Sequence, residues 1–130
     1  MAAELSQFEL DFFEALVRKN PRFVDAISAL AETYTASGQY EKGLEMDERL
    51  AGLCPKDGLV FYNLACSYAL LNRIAEALSS LEKAAELGYR DWKYMQRDAD
   101  LAILSGQPRF AELLQRMRAP TAKENPKKSS

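Results

Sequence analysis

Residues 58–91 read GLVFYNLACSYALLNRIAEALSSLEKAAELGYRD, and their order of large, small and aromatic residues repeats that of residues 24–57. Each residue of the first copy corresponds to the residue whose number is 34 higher in the second. A period of this length, with two helical patterns in each copy, predicts a solenoid in which every helix-turn-helix unit buries its apolar face against the next. The positions that carry the pattern are Ile27, Leu30, Ala31, Tyr34, Gly38, Tyr40 and Gly43 in the first copy and Phe61, Leu64, Ala65, Tyr68, Asn72, Ile74 and Ala77 in the second.

The same interval extends the pattern towards both ends of the chain. The position one interval before Pro55 is Pro21, so residues 4–21 are predicted to be the second half of an earlier repeat. One interval beyond the second copy lie residues 92–118, where the small residues persist and the large apolar ones are partly lost. This stretch is predicted to be a degenerate repeat that caps the open end.

These positions resemble the tetratricopeptide repeat family, and the closing segment resembles that of short bacterial members. The family places leucine, a small residue and tyrosine on the first helix, glycine in the turn, and aromatic and small residues on the second helix before a proline. Repeat one, residues 24–57, departs from the pattern at Gly43, Asp47 and Leu50. The matches are Leu30, Ala31, Tyr34, Gly38, Tyr40 and Pro55 in repeat one and Leu64, Ala65, Tyr68, Ala77 and Ala84 in repeat two, residues 58–91.

The resemblance implies an all-α fold, a right-handed α-solenoid of antiparallel helix pairs with about seven helices in one domain over residues 1–118. The small residues Ala31, Ala65 and Ala99 are predicted to lie where paired helices cross most closely. Apolar periodicity and the proline and glycine stop signals predict the helix bounds. The predicted helices are about 4–19, 22–36, 40–53, 59–71, 74–87, a short helix from 91, a second short helix over 101–104, and 108–118.

The composition indicates a single globular core. At 130 residues, with 48% hydrophobic and 28% charged residues, the chain is long enough for one such core. No apolar stretch approaches the roughly 20 residues that a membrane helix needs. The amino terminus lacks a basic stretch followed by an apolar one, so we expect a cytoplasmic protein that does not associate with membranes.

The last residues differ from the rest of the chain. Residues 119–130 have no apolar periodicity and contain two prolines, which predicts a disordered tail. Without the three lysines and one glutamate of this tail, 14 basic and 18 acidic residues remain, a net charge near −4. We expect no nucleic-acid binding from such a body, because that affinity comes from neutralising phosphates.

The residues that usually carry chemistry are scarce. The chain has no histidine, no CxxC pair and no glycine-rich phosphate loop. Cys54 and Cys66 are separated by eleven residues and are predicted to be free thiols, with a disulfide or redox switch as the alternative. We therefore assign no catalytic residue, metal ligand or cofactor, and expect a protein that is not an enzyme.

The predicted function lies in a surface. In a right-handed stack of helix pairs the first helix of each pair lines the concave face, which would form a groove running from acidic through apolar to basic side chains. Such a groove suits a peptide or protein segment of complementary polarity. The predicted binding residues are Glu32, Tyr62, Asn63, Cys66, Lys93 and Arg97.

One variant of this groove has a defined ligand in the family. Members that bind the carboxyl-terminal carboxylates of heat-shock chaperones carry lysine and asparagine on the first inward helix, asparagine on the second, and lysine and arginine on the third. Asn63, Lys93 and Arg97 match the last three positions, while Ser28 and Glu32 occupy the first two. Because Glu32 would repel a carboxylate, a groove of different specificity is favoured over this carboxylate clamp.

Two other functions remain open. The first helix carries Phe8, Phe12, Phe13 and Leu16, more large apolar side chains than one neighbouring helix covers. This excess predicts a weak homodimer, or a self-assembling scaffold, joined through the N-terminal helix. The third alternative is an accessory subunit that docks on a catalytic protein.

Overall fold

The structure is a computed structural model, and it describes residues 2–119. In this range it consists of seven α-helices and one 3₁₀ helix, with no strand, which confirms the predicted all-α class. The predicted helix bounds agree with the observed ones to within two residues. The elements are α1 (Ala2–Lys19), α2 (Val24–Ala36), α3 (Tyr40–Leu53), α4 (Gly58–Leu70), α5 (Ile74–Glu86), α6 (Trp92–Arg97), the 3₁₀ helix (Ala99–Leu104) and α7 (Pro108–Arg118). The predicted disordered tail lies outside the described residues, except for Ala119.

The turns after α2 and α4 use the same backbone conformation at equivalent positions. Gly38 has a φ of 83°, and Asn72, the corresponding residue of the second copy, has a φ of 61°. Glycine adopts a positive φ without steric cost, and asparagine is among the side chains that tolerate this region best. The replacement of the turn glycine by asparagine in the second copy therefore preserves the turn.

Successive helices pack on one another along the chain. Contacts join α1 to α2, α2 to α3, α3 to α4 and α4 to α5, and α4 also contacts the 3₁₀ helix. The buried apolar side chains form two clusters, one towards each end of the molecule. The fully buried large side chains are Ile27 in the first cluster and Leu81, Met95, Leu101 and Leu104 in the second.

Two hydrogen bonds repeat with the sequence period. The Tyr34 hydroxyl of α2 donates to Glu14 of α1 at 2.6 Å, and the Tyr68 hydroxyl of α4 donates to Glu48 of α3 at 2.9 Å. Both partners of the second bond lie one repeat period after those of the first. The α1/α2 and α3/α4 contacts therefore use equivalent residues.

Small residues allow the helices to approach closely. A Cβ on Gly43 of α3 would lie 2.5 Å from Oγ1 of Thr35 on α2, so an alanine does not fit there without a shift. Ala31 and Ala65 are buried, which is compatible with the predicted position at the helix crossings. The prediction for Ala99 is wrong, because that residue is exposed. In the third copy the first helix is divided into α6 and the 3₁₀ helix, and the 3₁₀ helix buries Leu101 and Leu104.

Replacing Ala65 with leucine tests the packing at the centre of α4. No surface of Ala65 is exposed, so the added side chain has to displace its neighbours, and we expect a loss of about 1–3 kcal/mol in the free energy of unfolding. Urea denaturation measures this loss. The matched control is Ala75→Leu on the exposed face of α5, which should change stability by less than about 0.5 kcal/mol. Equal unfolding midpoints for Ala65→Leu and the parent would contradict the packing described.

Candidate functional site

An open groove lies beside α4 and has a volume of about 510 Å³. Four parts of the chain form it: α2, α3, α4 and the segment from Tyr89 to Asp100. We call it the central groove. Its lining residues are Ser28, Ala31, Glu32 and Thr35 of α2, Asp47 of α3, Leu59, Tyr62, Asn63, Cys66, Ser67 and Leu70 of α4, and Tyr89, Asp91, Tyr94, Asp98 and Asp100.

Four of the six predicted binding residues line this groove. Glu32 and Asn63 are exposed in it, whereas Tyr62 and Cys66 are buried and form part of its floor. The structure therefore brings these residues of α2 and α4 together in one groove.

The two predicted basic residues do not line the groove. The Lys93 ammonium lies 5.8 Å from the centre of the Trp92 ring, and the Arg97 guanidinium lies 5.6 Å from the centre of the Tyr94 ring. The expected basic end is thus wrong: aspartates occupy that end of the groove instead. Helix α6 is only six residues long, and the turn after it directs Asp98 towards α4.

Tyr62 is held by two contacts from the closing segment. Its hydroxyl donates to Oδ2 of Asp98 at 2.5 Å, and its ring stacks on Tyr89 with centroids 4.5 Å apart. Burial raises the pKa of Tyr62, and the hydrogen bond to Asp98 acts in the same direction. Tyr62 is therefore a neutral hydrogen-bond donor that ties α4 to the residues following α6.

Asp98 and Asp91 have local structural roles as well. Oδ1 of Asp98 accepts from the backbone N–H of Asp100 at 3.0 Å and caps the 3₁₀ helix. Asp91 accepts from the backbone N–H of Tyr94 at 3.1 Å and caps α6. Such caps satisfy N–H groups that the first turn of a helix leaves free. The caps fix these aspartates at the groove, but capping alone does not neutralise their charge.

The two cysteines are free thiols. Cys66 is buried, and its sulfur lies 3.7 Å from Oδ2 of Asp98. Burial raises the pKa of the Cys66 thiol, and the charge of Asp98 raises it further. Because the thiolate is the nucleophilic form, this cysteine is unreactive at neutral pH.

Asp47 is the site residue that sequence reasoning missed. Its side chain is only 6% exposed, and Oδ2 accepts a hydrogen bond from the Ser67 hydroxyl at 2.5 Å. Burial raises the pKa of Asp47 to about 6, the Ser67 hydrogen bond lowers it, and the charge of Glu32 raises it. The available signal was the departure of Asp47 from the aromatic residue of the family pattern.

Comparison with known proteins adds one partial relative. No protein-family model matches the chain. The chain is 37% identical over 84 residues to a protein of Arabidopsis thaliana whose name describes it as chloroplastic. The aligned region covers 62% of this chain and 25% of that protein, so the chain spans about a quarter of the relative's length. The relative's name places that protein in the chloroplast, and a cytoplasmic location for this chain stays a prediction.

The described helices also bear on membranes and metals. Between residues 2 and 119, every helix is too short or too polar to cross a bilayer. In the same range, no three histidine, cysteine, aspartate or glutamate side chains are grouped closely enough to hold a metal ion.

The raised pKa of Asp47 predicts how stability depends on pH. The folded protein holds a proton on Asp47 up to about pH 6, whereas the unfolded chain releases it near the ordinary value of 3.8. The free energy of unfolding should therefore fall by about 2–3 kcal/mol as pH rises from about 4 to 6. Urea denaturation across this range measures the slope.

The variant Asp47→Asn should remove this slope, because its amide oxygen still accepts from Ser67 but carries no charge. The matched control is Glu112→Gln on the exposed face of α7, which should keep the slope of the parent. An unchanged slope in Asp47→Asn would show that another group is responsible.

Proposed function

We propose that this protein is a non-catalytic interaction module that binds a peptide or protein segment in the central groove. The observation that carries the proposal is the groove itself, in which aromatic, amide and carboxylate side chains from four parts of the chain converge. Pockets that combine an apolar floor with a few polar groups are typical of binding sites. The protonated thiol of Cys66 and the capping roles of Asp91 and Asp98 favour binding over catalysis.

We also infer that the chain is a right-handed α-solenoid of the tetratricopeptide type. Three features favour it: neighbour-to-neighbour helix packing, the turn shared by Gly38 and Asn72, and the Tyr34–Glu14 bond that recurs at Tyr68–Glu48. The domain then runs over residues 1–118, with the closing segment as its cap. In this architecture the central groove is the concave face.

Within the groove, the proposed contacts divide into floor and rim. Tyr62 and Cys66 supply a rigid floor, and Asn63 and Glu32 supply accessible polar groups. Lys93 and Arg97 lie outside the lining, which weighs against a carboxylate clamp. The proposed specificity is therefore different from that of chaperone-binding relatives.

Site-specific crosslinking tests the binding surface. With the photoreactive residue p-benzoylphenylalanine in place of Leu59 or Asn63, both exposed in the groove, we expect a covalent adduct with one partner in the source cell. The same residue at Glu112 on α7 should give no such adduct. Asn63→Trp, which partly fills the groove, should reduce crosslinking from Leu59. Equal adduct formation from Leu59 and Glu112 would contradict the proposal.

Self-assembly is the second candidate, and the first helix favours it. Phe8 is 69% exposed and Phe12 52% exposed, with their rings stacked at a centroid distance of 6.5 Å. Phe13 and Leu16 pack inward against the first core cluster. Among the described side chains of α1, the exposed large apolar ones are Phe8 and Phe12, a narrower strip than the sequence predicted. An accessory subunit could dock on a catalytic protein through either the central groove or the exposed phenylalanines of α1.

Sedimentation at micromolar concentration tests this second candidate. Burying Phe12 in a dimer is worth about 1.5–3 kcal/mol, so Phe12→Ser should shift a weak dimer to monomer. Ile103→Ser is the control, because Ile103 is similarly exposed at the opposite end of the chain and should not change the mass. A monomeric parent would exclude self-assembly through α1.

A further inference from the structure

The charge of the central groove is one-sided. Its lining includes the carboxylates Glu32, Asp47, Asp91, Asp98 and Asp100, and no lysine or arginine among the described residues lines it. None of the five forms an ion pair with a described side chain. In contrast, the carboxylates of Glu76 and Glu82 elsewhere on the surface are paired with arginines. The groove carboxylates thus form no ion pair within the described chain, although Arg97 stacks beside them on Tyr94.

The negative charge of Asp47 affects the stability of the protein. The side chain is more than nine-tenths buried and lines the groove, yet among the described residues it accepts a hydrogen bond only from the neutral Ser67 hydroxyl. A buried carboxylate without a cation is destabilising when ionised. A positively charged group bound in the groove would lower the free-energy cost of ionising Asp47. The unpaired carboxylate therefore favours a cationic ligand.

The aromatic wall of the groove suits the same occupant. Tyr62, Tyr89 and Tyr94 lie together, with Tyr62 and Tyr94 centroids 6.3 Å apart. Tyrosine rings attract ammonium and guanidinium groups through their negative faces and also pack against aliphatic stems. Arg97 of the chain itself already stacks on Tyr94, which illustrates the geometry.

We propose that the occupant of the central groove is a cationic segment of a protein partner, with lysine or arginine side chains directed at the groove carboxylates and apolar side chains on the tyrosines and Leu59. This inference rests on the proposed function and specifies its ligand. Five carboxylates from α2, α3 and the segment after α5 line the groove, which favours several cationic side chains along a chain over one metal ion. Electrostatic attraction of this kind weakens as salt is added.

Fluorescence anisotropy with defined peptides tests the inference on the full chain. The probe is a fluorescein-labelled peptide with a central leucine flanked by alternating lysine and alanine. Its counterparts carry glutamate or glutamine in place of lysine. We expect binding of the lysine peptide, which weakens with salt, and weaker or no binding of the others. Glu32→Gln combined with Asp100→Asn should lower the affinity about tenfold, because two screened ion pairs are lost.

The matched control removes the same charge elsewhere. Glu41→Gln combined with Glu112→Gln, both exposed and outside the groove, should change the affinity less than about twofold. Equal losses in the two double variants would overturn the inference, since binding would then follow net charge alone. Circular dichroism of each variant ensures that the fold is retained.

The remaining outcomes distinguish failure of the cationic-ligand proposal from failure of the proposal that the groove binds a partner. Tighter binding of the glutamate peptide, lost in Lys93→Glu combined with Arg97→Glu, would overturn the cationic ligand and favour the carboxylate clamp. Failure of all three peptides to bind would also overturn the cationic ligand. The crosslinking from Leu59 and Asn63 uses no designed peptide, so it decides independently whether the groove binds a partner.

Discussion

Helix α4 is the constraint on which the rest of the structure depends. It contacts α3, α5 and the 3₁₀ helix, and six of its 13 residues are buried. A helix enclosed in this way cannot carry charge without cost, and α4 contains no charged residue. The charges of the groove therefore come from α2, α3 and the segment after α5, while α4 supplies the floor.

The sequence repeat explains how a short chain surrounds α4 with other helices. The tyrosine-to-glutamate bonds Tyr34–Glu14 and Tyr68–Glu48 join equivalent helices in the two copies, although the helices differ elsewhere. The third copy breaks the rule. Its first helix is divided into the six-residue α6 and a 3₁₀ helix, and Asp98 between them accepts a hydrogen bond from Tyr62. This irregularity places Asp98 at the position that Leu30 and Leu64 occupy in the first two copies.

The sequence was sufficient for local structure and for the regular repeats. Proline and glycine signals and apolar spacing predicted the helix bounds, because these are determined by nearby residues. The repeat period also placed Tyr62 and Asn63 at the groove. In the irregular third copy, the same period failed for Lys93 and Arg97, since a six-residue helix followed by a 3₁₀ turn no longer preserves the phase.

The Asp47–Ser67 hydrogen bond could not be predicted from the sequence, for a different reason. It joins two helices across 20 residues, and a buried aspartate cannot be distinguished from an exposed one by spacing alone. The charge of the groove follows from this pair and from the caps at Asp91 and Asp98. The proposed specificity of the groove thus depends on tertiary contacts, whereas the location of the groove follows from the repeat.

The binding surface is tested most directly by mapping amide chemical shifts in NMR spectra while the lysine peptide is added. Binding in the central groove predicts that the largest changes lie at Leu59, Asn63 and Tyr94, with the Asn63 side-chain amide among them. The Trp92 indole signal, outside that groove, should stay in place. Changes centred on Trp92, or on Phe8 and Phe12 of α1, would contradict the assignment of function to the central groove.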